Sequence, residues 1–240
     1  MAQRKHRIMY KRYDIDETYF DKINTKEKAY VLGFLAADGQ VELKLKPCHY
    51  RLRWNLQKRD KEILVFIKKQ LSYTGPISTR GKYVYLEISN KRLVEKAYLR
   101  GLDNNKSLTL EPIGIPKKFI GSFIHGYFDG DGCVALYDRG TYMKPYIIFT
   151  GTASMMNWIQ DAIDCKYKLT KNRNSYNLNV GGFSNICKTI NVLRTSSFGL
   201  KRKTKILDKI AAYIEKSNRK TQNNGGTPMG QSRGVKRPND

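Results

Sequence analysis

Two aspartates end the same short pattern, Val31-Leu-Gly-Phe-Leu-Ala-Ala-Asp38-Gly39 and Ile124-His-Gly-Tyr-Phe-Asp-Gly-Asp131-Gly132. Each copy reads as a small apolar helix stopped by an Asp-Gly turn. Within each, small residues stand four apart, Gly33 with Ala37 and Gly126 with Gly130, and so share a helix face. Such a face lets two backbones approach closely, and its natural partner is the other copy, around a pseudo-twofold axis. That packing would set Asp38 beside Asp131 at two helix C-termini, where the macrodipoles and mutual repulsion both oppose ionised acids. A divalent cation would offset the charge. Asp38, Asp131 and the backbone carbonyls of Ala37 and Gly130 are hard oxygen ligands suited to Mg²⁺, which keeps water and takes phosphate oxygens. Metal-assisted phosphodiester hydrolysis is the chemistry such a set points to.

The elements that must position this pair repeat as well. Each Asp-Gly is followed by strand-like alternation, Val41 to Gln57 and Val134 to Thr152, then by a helical run, a second hairpin and another helix. Each half closes on a lysine-bearing segment, Gly101 to Ser107 and Gly199 to Thr204. The aspartates are 93 residues apart and Lys106 and Lys203 are 97 apart, so the chain reads as a tandem duplication of a unit of about 95 residues. Thr25 before Lys26-Glu-Lys28 is a helix start, and Glu111-Pro-Ile-Gly-Ile-Pro116 is a linker. The expected organisation is a basic N-terminal extension over 1–18, a first repeat over 19–110, a linker over 111–116, a second repeat over 117–216 and a disordered basic tail over 217–240.

Composition names the class of partner. Forty-five Lys and Arg stand against 21 Asp and Glu, a formal charge of +24 over 240 residues, interleaved with 16 Tyr, 9 Phe and 2 Trp. This is a folded basic surface, and it calls for a polyanion, nucleic acid before an anionic membrane. No apolar run approaches a membrane span or a signal region, so an intracellular setting, cytoplasm or organelle, is expected. Cys48, Cys133, Cys165 and Cys187 form no Cys-x-x-Cys pair, which argues against zinc. His6, His49 and His125 form no metal or nucleophile-base spacing, and His125 reads as a packing residue.

The partner-facing surface can be read from alternation. Residues 43 to 59 hold six Lys or Arg and no acid. Leu43, Leu45, Leu52, Trp54 and Leu56 fall on one side, with Lys44, Lys46, Arg51, Arg53, Asn55 and Gln57 on the other. Arg and Lys there suit phosphates or guanine, while Asn55 and Gln57 suit adenine. The next hairpin turns Tyr83, Tyr85 and Glu87 outward and carries Arg80 and Lys82 in its turn. The second half is more neutral: Tyr137, Arg139, Tyr146, Thr150, Thr152, Lys166, Lys168, Asn177 and Asn179. Two differently furnished surfaces should read two different half-sites. A slip of one residue in register would exchange the faces.

Over roughly residues 20 to 210 the chain resembles the LAGLIDADG homing endonucleases, and its doubled motif resembles their monomeric, two-repeat type. The resemblance implies an α+β fold of two pseudo-symmetric αββαββα repeats, each with a saddle-shaped antiparallel sheet over DNA, joined at a central pair of motif helices. It implies that Asp38 and Asp131 bind the catalytic metals, and that Lys106 and Lys203 lie near the scissile phosphates, where a lysine stabilises phosphorane charge, polarises water or clamps a phosphate. Gln57 is placed to help position that water. The first acidic position of the motif is Asp129 in one copy and Ala36 in the other, a departure from symmetry.

The expected activity is site-specific cleavage of both strands of a long asymmetric DNA target with Mg²⁺, Mn²⁺ or Ca²⁺ being able to occupy the site. The alternatives are an intron-splicing maturase, or a relative that binds DNA or RNA without cleaving it. A self-splicing protein element is disfavoured, because the chain shows no nucleophile at Met1 and no terminal His-Asn pair.

Overall fold

The computed structural model describes residues 13–44, 49–165 and 167–223. The first half runs α1 (Lys26–Asp38), β1 (Gly39–Lys44), β2 (His49–Gln57), α2 (Lys61–Gln70), β3 (Ser78–Arg80), β4 (Tyr83–Ile88) and α3 (Lys91–Tyr98), with a short α4 (Lys106–Thr109). The second repeats this order as α5 (Ile120–Asp131), β5 (Gly132–Asp138), β6 (Met143–Gly151), α6 (Ala153–Ile163), β7 (Thr170–Asn172), β8 (Ser175–Val180), α7 (Phe183–Leu193) and α8 (Lys201–Asn223). Each half holds a four-stranded antiparallel sheet, in the orders β1-β2-β4-β3 and β5-β6-β8-β7. The fold is the expected α+β pair of αββαββα repeats.

The motif helices are buried on almost every side, Ala29 to Ala36 in α1 and Ser122 to Asp129 in α5, as suits central helices that are apolar all round. They pack on each other through their small residues. A Cβ at Gly33 would run into the carbonyl oxygen of Phe123, one at Gly126 into that of Tyr30, and one at Gly130 into the Cβ of Ala37. Glycine is therefore required at the crossing for steric reasons. Thr25 caps α1 by accepting from the Lys28 amide at 3.1 Å.

Strand register follows the alternation. Gly39 pairs with Trp54 and Glu42 with Arg51, while Asn55 pairs with Tyr85 and Gln57 with Tyr83. Leu52, Trp54, Leu56, Val84, Leu86 and Ile88 are buried against the helices, so Arg51, Arg53, Asn55, Gln57, Tyr83 and Tyr85 share the opposite face. In the second sheet Thr150 pairs with Asn177 and Ile148 with Asn179, opposite the buried Val134, Ile147, Phe149, Leu178 and Val180.

Several expectations need correction. Thr152 is not on the sheet face: it caps α6, accepting from the Met155 amide, and its hydroxyl donates to the Leu110 carbonyl at 2.6 Å. The last helix does not stop near Lys216 but continues to Asn223, so the expected tail begins no earlier than 224, outside the described residues. The segment from Asp14 is docked on the first half, with the Asp14 amide on Thr74 and the Asp16 amide on the Leu71 carbonyl. Lys46, Lys166, Cys48 and His6 lie outside the described residues, as does most of the expected basic extension, and of Lys44 only the backbone, in β1, is described.

Candidate active site and nucleic-acid interface

The crossing of α1 and α5 delivers both motif aspartates to one place, since Gly130 lies against Ala37 and Asp38. Both side chains open to solvent on one side while protein crowds them from behind. That desolvation raises each carboxyl. Asp131 is pushed up to about 6, by burial first and the Asp38 charge second, against the pull of Lys106 and Lys203. Asp38 is also raised by burial, opposed by Lys203 and Lys106. At both carboxyls the cost of burial outweighs the pull of the two lysines. Among the described residues no group of three or more His, Cys, Asp and Glu gathers, so the donors that fit a cation here are the two aspartates with backbone oxygens. Two carboxylates crowded from behind and open to solvent in front suit a hard, partly hydrated divalent ion.

Lys106 and Lys203 do reach this place, and they arrive as caps on the motif helices. Lys106, 7% exposed, donates to the carbonyls of Ala36 and Ala37, both at 2.7 Å. Lys203, 4% exposed, donates to those of Phe128, Asp129 and Gly132 at 2.6, 2.9 and 2.7 Å. Unpaired carbonyls and the negative end of the helix dipole are what an ammonium offsets best. Burial lowers both lysines, Lys203 to about 8. The counts differ in consequence: an ammonium has three protons, so Lys203 has all of them committed and Lys106 has one to spare. The Ala37 carbonyl, expected as a metal ligand, is shared with Lys106.

The departure at Ala36/Asp129 becomes a built asymmetry. Asp129, 2% exposed, accepts from the Tyr30 hydroxyl at 2.7 Å and the Leu200 amide at 2.8 Å. One carboxylate thus joins α1, α5 and the start of α8. His125 Nε2 stands 3.7 Å from it and the ring is lowered by burial, so His125 belongs to this buried polar set as well as to the packing. A second link between the halves is Arg202, whose Nε and one Nη donate to Asp60 at 2.8 and 3.0 Å. Asp60 follows Gln57 by one 3₁₀ turn, and nothing in the linear sequence marks it as a partner of α8.

The outer face of the first sheet is basic but not free of acids. Arg53 lies 2.9 Å from Glu87 and 3.9 Å from Glu42, and His49 pairs with Glu42 at 2.9 Å. Arg53 thus lies near two carboxylates, on the face it shares with Arg51, Asn55 and Gln57. Arg80 lies 5.6 Å from the Tyr85 ring, and Lys82 occupies the turn next to Tyr83. The second face is quieter: Thr150 donates to Asn177 at 3.0 Å, Asn179 donates to Thr170, and Tyr146 meets Tyr137 edge-on with Arg139 over the Tyr137 ring. Lys168 precedes β7 and is exposed.

No protein-family model matches the chain, and no curated protein matches it. Solved structures do. The LAGLIDADG meganuclease I-AabMI, bound to uncleaved DNA, is 17% identical with a TM-score of 0.58, over 80% of this chain and 91% of that one. The LAGLIDADG homing endonuclease I-GzeII, in complex with its DNA target, is 17% identical with a TM-score of 0.59, over 81% and 93%. I-SmaMI, bound to an uncleaved DNA target in the presence of calcium ions, is 15% identical with a TM-score of 0.55, over 83% and 94%. Likeness at these identities is a likeness of architecture: the chain has the two-repeat fold of the LAGLIDADG homing endonucleases.

Proposed function

We propose that the protein is a site-specific endonuclease that hydrolyses both strands of a long, asymmetric double-stranded DNA target with divalent metal. The observation that carries this reading is the pairing of Asp38 with Asp131 at the crossing of α1 and α5, carboxyls raised by burial against the pull of Lys106 and Lys203. In a chain of net charge +24 whose two sheets each turn a polar face outward, such a pair is best explained by phosphodiester chemistry. The maturase reading and the non-cleaving reading share the fold and the basic faces, and neither needs the paired acids.

Asp38 and Asp131 would hold Mg²⁺, with Ala37 and Gly130 carbonyls as further donors, and the metal would supply Lewis-acid stabilisation of phosphoryl charge and an acidified water. The chain's own residues do the rest. Arg51, Arg53, Arg80 and Lys82 bind phosphate or guanine, with Asn55, Asn177 and Asn179 offering amide edges to bases. Gln57, exposed at the end of β2, holds the attacking water. Lys106, with one proton uncommitted, donates to a phosphoryl oxygen, and Lys203 fixes the end of α5 and adds positive potential. The backbone interface of α1 and α5 keeps the two acids in register for two cuts.

Incubation of the protein with a randomised duplex library and Mg²⁺ tests the reading. The parent should select and cut a defined sequence on both strands, and Asp38→Asn should bind it without cutting. Equal cutting by both proteins would defeat the metal assignment. Binding should weaken steeply with salt, and a flat dependence would remove the nucleic-acid reading altogether.

A further inference from the structure

The two lysines beside the motif aspartates are equivalent in position but not in what they have left to give. All three Lys203 protons lie on carbonyls of the second motif helix and its following turn, so it has none to offer a substrate. Its neighbour in sequence is differently placed. Arg202 is 43% exposed and commits two of its five N–H groups to Asp60. A bidentate carboxylate on one edge of a guanidinium fixes the direction of the other, which here remains accessible to solvent. Asp60 comes from the opposite half, at the end of the strand that carries Asn55 and Gln57 on the outer face. Asp38 senses both members of the pair, which puts them within electrostatic reach of the first motif aspartate.

The first half has no equivalent. The residue before Lys106 is the uncharged Asn105, whose backbone N–H donates to Asp103, and the residue 93 positions after Asp60 is Ala153. Charge at the two motif-helix ends is therefore deployed in two ways: a lysine with a spare proton at one, a fully committed lysine with an adjoining arginine at the other.

We propose that Arg202, aimed by Asp60 across the boundary between the halves, is the residue that binds a backbone phosphate beside one cleavage position, in place of the committed Lys203. This rests on the endonuclease reading. Arg202 touches the substrate, and Asp60 is a positioning residue that acts through it. A structural role alone, tying α8 to the first half, would make the two partners equally important. A phosphate role makes Arg202 the more important and confines its effect to one strand.

The experiment uses a duplex selected from the randomised library and labelled separately on each strand. Arg202→Ala should slow nicking of one strand by about 10²-fold and leave the other within a few-fold, a loss of the size expected for one charge-stabilising donor. Asp60→Asn should slow the same strand by about tenfold, and Arg202→Lys should recover part of the loss. Phosphate-ethylation interference, read on binding with Ca²⁺ in place of Mg²⁺, should lose a single phosphate in Arg202→Ala. Melting temperatures of the three variants separate this from unfolding. Equal slowing of both strands, equal effects of Asp60→Asn and Arg202→Ala, or an unchanged interference pattern would overturn the proposal. A parent that binds but cuts nothing would instead overturn the endonuclease reading, while the interference pattern would still decide whether Arg202 holds a phosphate.

Discussion

The C-terminal ends of the two motif helices begin from the same pattern and reach different solutions. At the end of α1 the inner position is Ala36, 3% exposed in an apolar setting, and one lysine rests on two carbonyls. At the end of α5 the inner position is the buried Asp129, tied to Tyr30 and Leu200, while the lysine rests on three carbonyls and Arg202 adds a bridge to Asp60. The crossing of the helices is symmetric because steric exclusion depends only on shape. The charge arrangement around it is not, because each polar partner comes from a different neighbouring segment. A duplicated fold can thus keep one interface and still build unlike surroundings at its two motif-helix ends.

The largest effect should come where the two ends are alike. Gly33→Ala and Gly126→Ala each drive a Cβ into a backbone carbonyl of the other helix, and each should cost about 3 kcal/mol or more in urea denaturation, since backbone cannot yield as a side chain does. Losses that differed widely between them would break the symmetry of the crossing.

Asp129→Ala comes next, leaving the Tyr30 hydroxyl and the Leu200 amide buried without an acceptor. It should cost about 2–3 kcal/mol, against about 1 kcal/mol or less for Ala36→Ser at the equivalent place in α1. Equal losses would mean that the asymmetry carries no energy. The lysines offer a finer comparison: Lys203→Met, which strands three carbonyls, should destabilise by about 1 kcal/mol more than Lys106→Met, which strands two. If the substrate role proposed for the spare proton holds, the order reverses for cleavage, with Lys106→Met slowing its strand the more.

The smallest effect is on pH dependence. Asp131 binds its proton more tightly when folded, at about 6 against an ordinary 3.8, so the chelator-treated protein gains stability from protonation and loses it as pH rises between about 4 and 6. The melting temperature of the parent, taken relative to Asp131→Asn, should fall through that window and level off above it. Asp38→Asn removes the neighbouring charge and should move the decline to lower pH.

Much of this was legible in the linear chain. The doubled motif with its small residues four apart specified the crossing, because the helical period places such residues on one face whatever surrounds them. Alternation specified which side of each sheet faces outward, and among the described residues the register agrees from His49 to Gln57 and from Tyr176 to Val180. Thr152 was misplaced because period-2 reasoning carries on past the point where a strand residue turns into a helix cap. The helix beyond Lys216 was missed because its polar residues resemble those of a disordered tail.

By itself, then, the sequence determined the duplication, the pairing of Asp38 with Asp131 and the basic face of the first sheet, which follow from local periodicity and composition, while the fold class came with the family resemblance of the doubled motif. Only the tertiary structure decided what each polar group is bonded to: that Lys106 and Lys203 cap helices, that Asp129 gathers Tyr30 and Leu200, and that Arg202 finds Asp60 142 positions away. Hydrogen bonds and ion pairs act over a few ångströms in space, and a separation in sequence says nothing about such distances until the chain has folded.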